Sequence, residues 1–197
     1  MRISKKNKLL FVHIPRCAGK SIIVALKEKY PDTKRIRGVW EHARLKEVHS
    51  IIRLKDYMKV AVVRNPWERM VSLYCFLSQQ KAYFDDRKGK VRDSKKLKRI
   101  GFSDWLIDFG KKSHNIRVSD TAQTSWISSH GKIIADEVIR FENLTEGCRQ
   151  ILGLDNLPIY HKTDHTEYVK YYNKASKMYV NRVFSNDIHT FNYKFGD

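Results

Sequence analysis

The chain lacks long apolar runs. No stretch approaches the roughly 18 consecutive apolar residues that a membrane-spanning helix needs. The basic start, Met1-Arg2-Ile3-Ser4-Lys5-Lys6-Asn7-Lys8, leads into a short apolar strand and a Pro-Arg turn, not into a secretory h-region with a small-residue cleavage site. A cytoplasmic chain without a transmembrane segment is therefore expected. Cysteine is scarce. Cys17, Cys75 and Cys148 have no paired spacing, which argues against a disulfide framework. Internal repeats and low-complexity linkers are absent. Acidic residues are outnumbered, 21 Asp and Glu against 39 Lys and Arg, for a net charge of +18. A field of that sign draws polyanions. There is no helix-turn-helix signal and no RNA-binding aromatic signature, so no specific nucleic-acid partner is expected. No HExxH pattern occurs. His161 and His165 are four apart, but Pro158 leaves the helix start there undefined, so no metal site is expected.

What remains reads as one globular domain spanning 1–197. With 197 residues and 42% hydrophobic content the chain can bury a core. Apolar runs at 9–14, 59–63 and 138–141 read as strands, and 33–39 as a second, edge-like strand. Helical spacing of apolar residues marks 19–30 and 43–54. It continues from Pro66 through Met70, Val71, Tyr74 and Leu77. It recurs at 102–109 with Ser103 as N-cap, from Asn143 through Leu152 up to Gly153, and at 173–184. Strands alternating with helices predict an α/β fold with a central parallel sheet. The exception is 81–101, strongly basic and without apolar periodicity, which is expected to be a mobile basic loop.

Two segments carry the chemistry. The first is Phe11-Val12-His13-Ile14-Pro15-Arg16-Cys17-Ala18-Gly19-Lys20-Ser21. The second runs from Val62 to Tyr74 as VVRNPWERMVSLY. Each passes from an apolar strand through a tight polar turn into a helix. A helix N-terminus with free N–H groups and a nearby cation suits an anion. Two such sites suit a nucleotide bearing phosphates at both ends. A nucleotide kinase would need GxxxxGK[ST], whereas Arg16 to Ser21 holds a single glycine. A non-enzymatic binder of anionic polymer is the other reading, and it leaves the paired motifs without a role.

The pair resembles the sulfotransferases that use 3′-phosphoadenosine 5′-phosphosulfate (PAPS). The first segment is similar to their 5′-phosphosulfate loop, HIPKTGGTS. The second is similar to their 3′-phosphate motif, RNPxxRxxSxY. The closer resemblance is to the carbohydrate branch, which includes heparan sulfate 2-O-sulfotransferase and many small bacterial relatives. Gln123 to Trp126, the segment VIRFENL from Val138 to Leu144, and the ending Phe191-Asn192-Tyr193-Lys194-Phe195 agree in order.

The resemblance implies a three-layer α/β/α fold similar to P-loop nucleotide kinases. It also implies transfer of a sulfuryl group from PAPS to a hydroxyl, with a carbohydrate acceptor and no metal. The positive charge favours an anionic acceptor. Arg16 stands where the family has Lys and is expected to stabilise the sulfuryl charge. Lys20 replaces a Thr and is a second candidate for that role. Cys17, Ala18, Gly19 and Ser21 complete the loop. Cys17 fills a Thr position, and a cationic helix start would also raise its reactivity. Arg64 and Ser72 are the expected 3′-phosphate ligands. His42 matches the branch's catalytic histidine, with Glu41 in place of Gly. A neutral imidazole takes the acceptor proton, and Glu41 either orients His42 or serves as the base itself. Acceptor specificity is expected in 81–99, 113–129 and 160–172.

Overall fold

The alternation of apolar runs sets the order of elements. In the computed structural model these are β1 (Arg2–Ser4), β2 (Leu9–Val12), α1 (Gly19–Lys29), β3 (Met58–Val63), α2 (Pro66–Gln79), β4 (Ala82–Asp85), β5 (Lys90–Asp93), α3 (Ser94–Ile100), α4 (Phe102–Lys112), α5 (Thr124–Ile127), β6 (Ser128–Ser129), β7 (Lys132–Ile133), β8 (Glu137–Arg140), α6 (Leu144–Leu152), α7 (Lys174–Val183) and α8 (Ser185–Thr190). The structure describes residues 1–48, 51–79, 82–85, 90–112, 122–160, 163 and 165–197. The chain divides into two compact units, 1–64 with 123–160, and 65–122 with 161–197.

The first unit is built on a four-stranded sheet of order β1-β2-β3-β8. β2, β3 and β8 run parallel, with Val12 opposite Ala61 and Val63 opposite Arg140. β1 pairs antiparallel with β2, so the expected parallel sheet carries an antiparallel edge. β2 is buried throughout, and β3 from Lys59 onward, as expected of parallel strands covered on both faces. Lys59 is neutralised where it is buried, its ammonium 2.6 Å from Asp136. α6 lies close on β8 because Gly147 has no side chain. A Cβ there would fall 2.6 Å from Ile139 Cγ2. Gly153, at φ 63°, then ends α6 in the left-handed conformation expected of a C-terminal glycine.

The second unit is helical and aromatic. α2 begins as the sequence RNP dictates: Asn65 Oδ1 accepts from the N–H groups of Trp67 (3.0 Å) and Glu68 (3.4 Å), and Pro66 takes the first helical position. Tyr74, Phe102 and Trp105 pack ring against ring. Phe195 meets Trp67, Tyr168 and Tyr172 edge-on. Asn173 caps α7 by accepting from the Ser176 N–H at 2.9 Å.

Four expectations change. Residues 33–39 form no strand; only an isolated bridge joins Lys34 to Ile3, and Arg2–Ser4 takes the sheet edge. The helix expected over 43–54 is reduced, among the described residues, to 3-10 turns at Leu45–Glu47 and Leu54–Asp56. Leu45 and Val48 are buried but Ile51 is exposed. One buried turn and β-branched residues at 48, 51 and 52 give a helix little to propagate on. Ser103 lies inside α4 and bonds to the Tyr171 carbonyl and to Ser176 instead of capping. Within 81–101, read as a basic loop, the described residues form the antiparallel pair β4 and β5 and the helix α3. Cross-strand pairing and burial of Leu97 supply order that charge alone hides.

Candidate active site

Parallel strands deliver their following residues to the carboxyl edge of the sheet, where open α/β sheets bind ligands. His13 follows β2 by one residue and Arg64 follows β3 by one. Residues 15–18 form a tight turn between β2 and α1. Two non-glycine residues there adopt left-handed backbone, Arg16 at φ 65° and Ala18 at φ 56°. Such conformations cost about 1–3 kcal/mol and collect at functional sites. A left-handed residue among helical ones turns N–H groups inward, which makes an anion-binding concavity. α1 starts immediately after, with no side-chain cap and no acidic residue in its first turn, so its N–H groups face no competing carboxylate of the first turn. Ser21 Oγ accepts from the Tyr160 N–H at 3.1 Å, which leaves the hydroxyl proton to donate. Lys20 is exposed and close enough to His13 to act on it electrostatically.

Arg64 reaches the same turn. Its Nη1 donates to the Arg16 carbonyl at 3.4 Å, and its guanidinium lies 4.1 Å from the centre of the Phe141 ring. Gln123 fixes its backbone, accepting from the Arg64 N–H at 2.9 Å and donating to the Arg64 carbonyl at 2.8 Å. The same Gln123 oxygen accepts from the Cys17 thiol at 3.2 Å. Cys17 is thus buried and hydrogen-bonded, a packed residue of the loop and not an exposed reactive thiol.

The third component is a histidine pair. His42 Nδ1 lies 2.9 Å from the His13 carbonyl. A carbonyl only accepts, so Nδ1 carries the proton and Nε2 presents a lone pair. Burial pushes the His42 imidazole below its ordinary value, with the His13 hydrogen bond acting in the opposite sense. The rings of His13 and His42 are 4.3 Å apart. Trp126 Nε1 donates to the His42 carbonyl at 2.9 Å and holds that backbone in place. Burial lowers His13 to about 2, with His42 and Lys20 adding to the effect. Its Nδ1 is buried without a hydrogen bond and 3.6 Å from Glu41 Oε1. Glu41 itself accepts from Arg2 at 2.8 Å.

His13, Glu41 and His42 bring ligand atoms within 4.8 Å of one another, a grouping that fits a metal ion by residue type. Arg2, paired with Glu41, and the nearby Lys20 make the surroundings cationic, which suits an anion better than a dication.

The structure therefore brings Arg16, Cys17, Ala18, Gly19, Lys20, Ser21, His42 and Arg64 into one unit. Ser72 belongs to the second. It is fully buried, and its Oγ lies 3.5 Å from Thr163 Oγ1. Arg69 is buried there over Phe184, and Trp67 packs on Phe195, consistent with packing roles. His49, His161 and Lys162 lie outside the described residues. Sequence reasoning missed Gln123 and Trp126 as supports. The only signal was their place in the segment that resembles the family's central stretch.

An uncapped helix start, a left-handed turn and an arginine at the carboxyl edge of an α/β sheet form an arrangement that suits a phosphate or sulfate group. Residues 1–194 match the Sulfotransferase family, and the chain belongs to it. No curated protein matches the chain, and no solved structure does. Membership makes sulfuryl transfer the expected activity. Among the described residues no helix is long and apolar enough to cross a membrane.

Proposed function

We propose that the protein transfers the sulfuryl group of PAPS to a hydroxyl of a carbohydrate acceptor, with His42 as general base. The observation that carries this reading is the union, within one unit, of the left-handed turn at Arg16 and Ala18, the uncapped start of α1 and the guanidinium of Arg64. That cradle suits a tetrahedral anion at the turn and a second one at Arg64. Ser72 joins Arg64 as a 3′-phosphate ligand on the strength of the sequence motif.

Sulfuryl transfer resembles phosphoryl transfer: the moving group spreads charge over its oxygens and the leaving oxygen, and catalysis is positioning plus electrostatics. The acceptor oxygen attacks sulfur in line as its proton passes to His42 Nε2. The S–O bond to the nucleotide breaks, and 3′-phosphoadenosine 5′-phosphate (PAP) leaves. Arg16 and Lys20 carry the charge that develops on the sulfuryl and leaving oxygens. Arginine stays protonated in proteins, so Lys20 is the better donor of a proton to the leaving group. Glu41 is bound to Arg2 and orients the histidine pair, which leaves the base to His42.

Calorimetric titration with PAP, against AMP and ATP, tests the reading. Binding that requires the 3′-phosphate and weakens roughly tenfold or more in Arg64→Ala is expected. Equal affinity for AMP and PAP would refute it and favour the binder of anionic polymers.

A further inference from the structure

Four tryptophans occur in the chain. Trp67, Trp105 and Trp126 are buried, at most 4% exposed, whereas Trp40 is 49% exposed. A single exposed apolar residue is ordinary on a protein surface. Trp40 is set apart by what it touches. Its ring meets His42 edge-on, with centroids 5.1 Å apart, so a half-open indole borders the imidazole assigned as base. The backbone fixes it there: Val39 N–H donates to the Ile36 carbonyl, and Ala43 N–H donates to the Trp40 carbonyl. Val39 and Ala43 on either side are buried. The indole thus projects from a pinned turn and does not ride on a loose one.

The chemistry of the occupant follows from that placement. A base accepts a proton only from a hydroxyl within hydrogen-bond reach. The rest of the acceptor must then lie across the neighbouring surface. An indole face offers a flat apolar area at low entropic cost, on which the C–H groups of a ligand can lie. A pyranose ring has one face of C–H groups and a rim of hydroxyls. Laid on Trp40, it rests on its apolar face and turns its rim toward His42. A flexible alkyl alcohol would gain little from the indole.

Building on the sulfotransferase reading, we propose that Trp40 is the acceptor platform, stacking on the pyranose ring whose hydroxyl is presented to His42. This places a specificity-determining contact outside 81–99, 113–129 and 160–172, where acceptor recognition was expected.

The burial of the other three indoles makes Trp40 separately observable by acrylamide quenching of fluorescence. The probes are a neutral glucose hexasaccharide, an unsulfated uronate-containing hexasaccharide and para-nitrophenol, each added to protein saturated with PAP. Protection of Trp40 from acrylamide by either hexasaccharide is expected. In Trp40→Ala the oligosaccharide affinity falls roughly tenfold, whereas Trp40→Phe stays within roughly threefold of the parent. Where the sugar is turned over, the loss appears in KM and not in kcat. PAP affinity stays unchanged in both variants, so loss of PAP binding in the parent protein refutes the sulfotransferase reading and is distinct from failure of the platform. The proposal is overturned if neither hexasaccharide protects Trp40, if only para-nitrophenol does, or if Trp40→Ala binds the sugars as the parent does.

Discussion

Gln123 holds both backbone polar groups of Arg64, accepting from its N–H and donating to its carbonyl, from 59 residues away. The same oxygen receives the Cys17 thiol of the anion turn. One buried amide therefore sets the end of β3 relative to the loop that follows β2. Arg64 can aim its guanidinium because its main chain is pinned.

Replacing Gln123 with Ala would leave the Arg64 N–H and carbonyl and the Cys17 thiol short of this partner in a buried place. Unsatisfied buried groups cost about 1–3 kcal/mol. A lower midpoint in urea and weaker PAP binding are expected together. Gln123→Glu keeps the shape but loses the donor and adds a buried negative charge, so it should be at least as damaging. Full stability and unchanged PAP affinity in both variants would show that the bracing has no consequence.

Gly19 illustrates a second dependence. A Cβ there would overlap Cδ2 and Nε2 of the His13 ring. That ring is mostly enclosed and packs on His42, and a stiff imidazole has no flexible end to swing away. Alanine is otherwise favoured over glycine inside a helix by about 1 kcal/mol, and here the overlap should outweigh the gain. Overpacking typically costs about 1–3 kcal/mol. Gly19→Ala should unfold at lower temperature and, because His13 supports His42, lose turnover as well. A variant as stable as the parent would show that His13 relocates without cost.

Much of the site was legible because local pattern and chemistry coincide. β2, α1, β3 and the start of α2 are marked by apolar runs that end in Pro, Gly and cationic residues. Asn65 and Pro66 even state how α2 begins. The supports were not legible. Gln123 acts on Arg64, and Trp126 acts on His42 from 84 residues away, and no periodicity encodes a partner so distant. The helix expected over 43–54 failed for the converse reason. Leu45, Val48, Ile51 and Ile52 have helical spacing, but tertiary burial takes only the first two among these described positions.

Cys17, Cys75 and Cys148 are all buried. Cys148 is held up at about 11 by burial, so almost no thiolate forms near neutrality. Ellman's reagent should report almost no reactive thiol in native protein and three after denaturation. Fast labelling of Cys17 in the native state would contradict its burial beside Gln123.

The histidine pair makes two pH dependences separable. His42 works as a base only when neutral, and burial lowers it below the ordinary value of about 6.5. The acid limb of kcat/KM should therefore lie below pH 6.5, and His42→Ala should lose roughly 10²–10⁴-fold in turnover while retaining PAP. Stability follows His13 as well. Folded, His13 stays neutral down to about pH 2; unfolded, it takes a proton near pH 6.5. Between those values the unfolded chain binds more protons, so stability rises with pH and is lost on acidification. The slope is at most about 1.4 kcal/mol per pH unit for each such histidine. His13→Leu removes the titration while keeping an apolar side chain in the buried space. Its urea midpoint should fall less steeply between pH 6 and pH 4 than that of the parent. Parallel slopes would mean that His13 takes its proton in the folded state and that its burial does not govern acid stability.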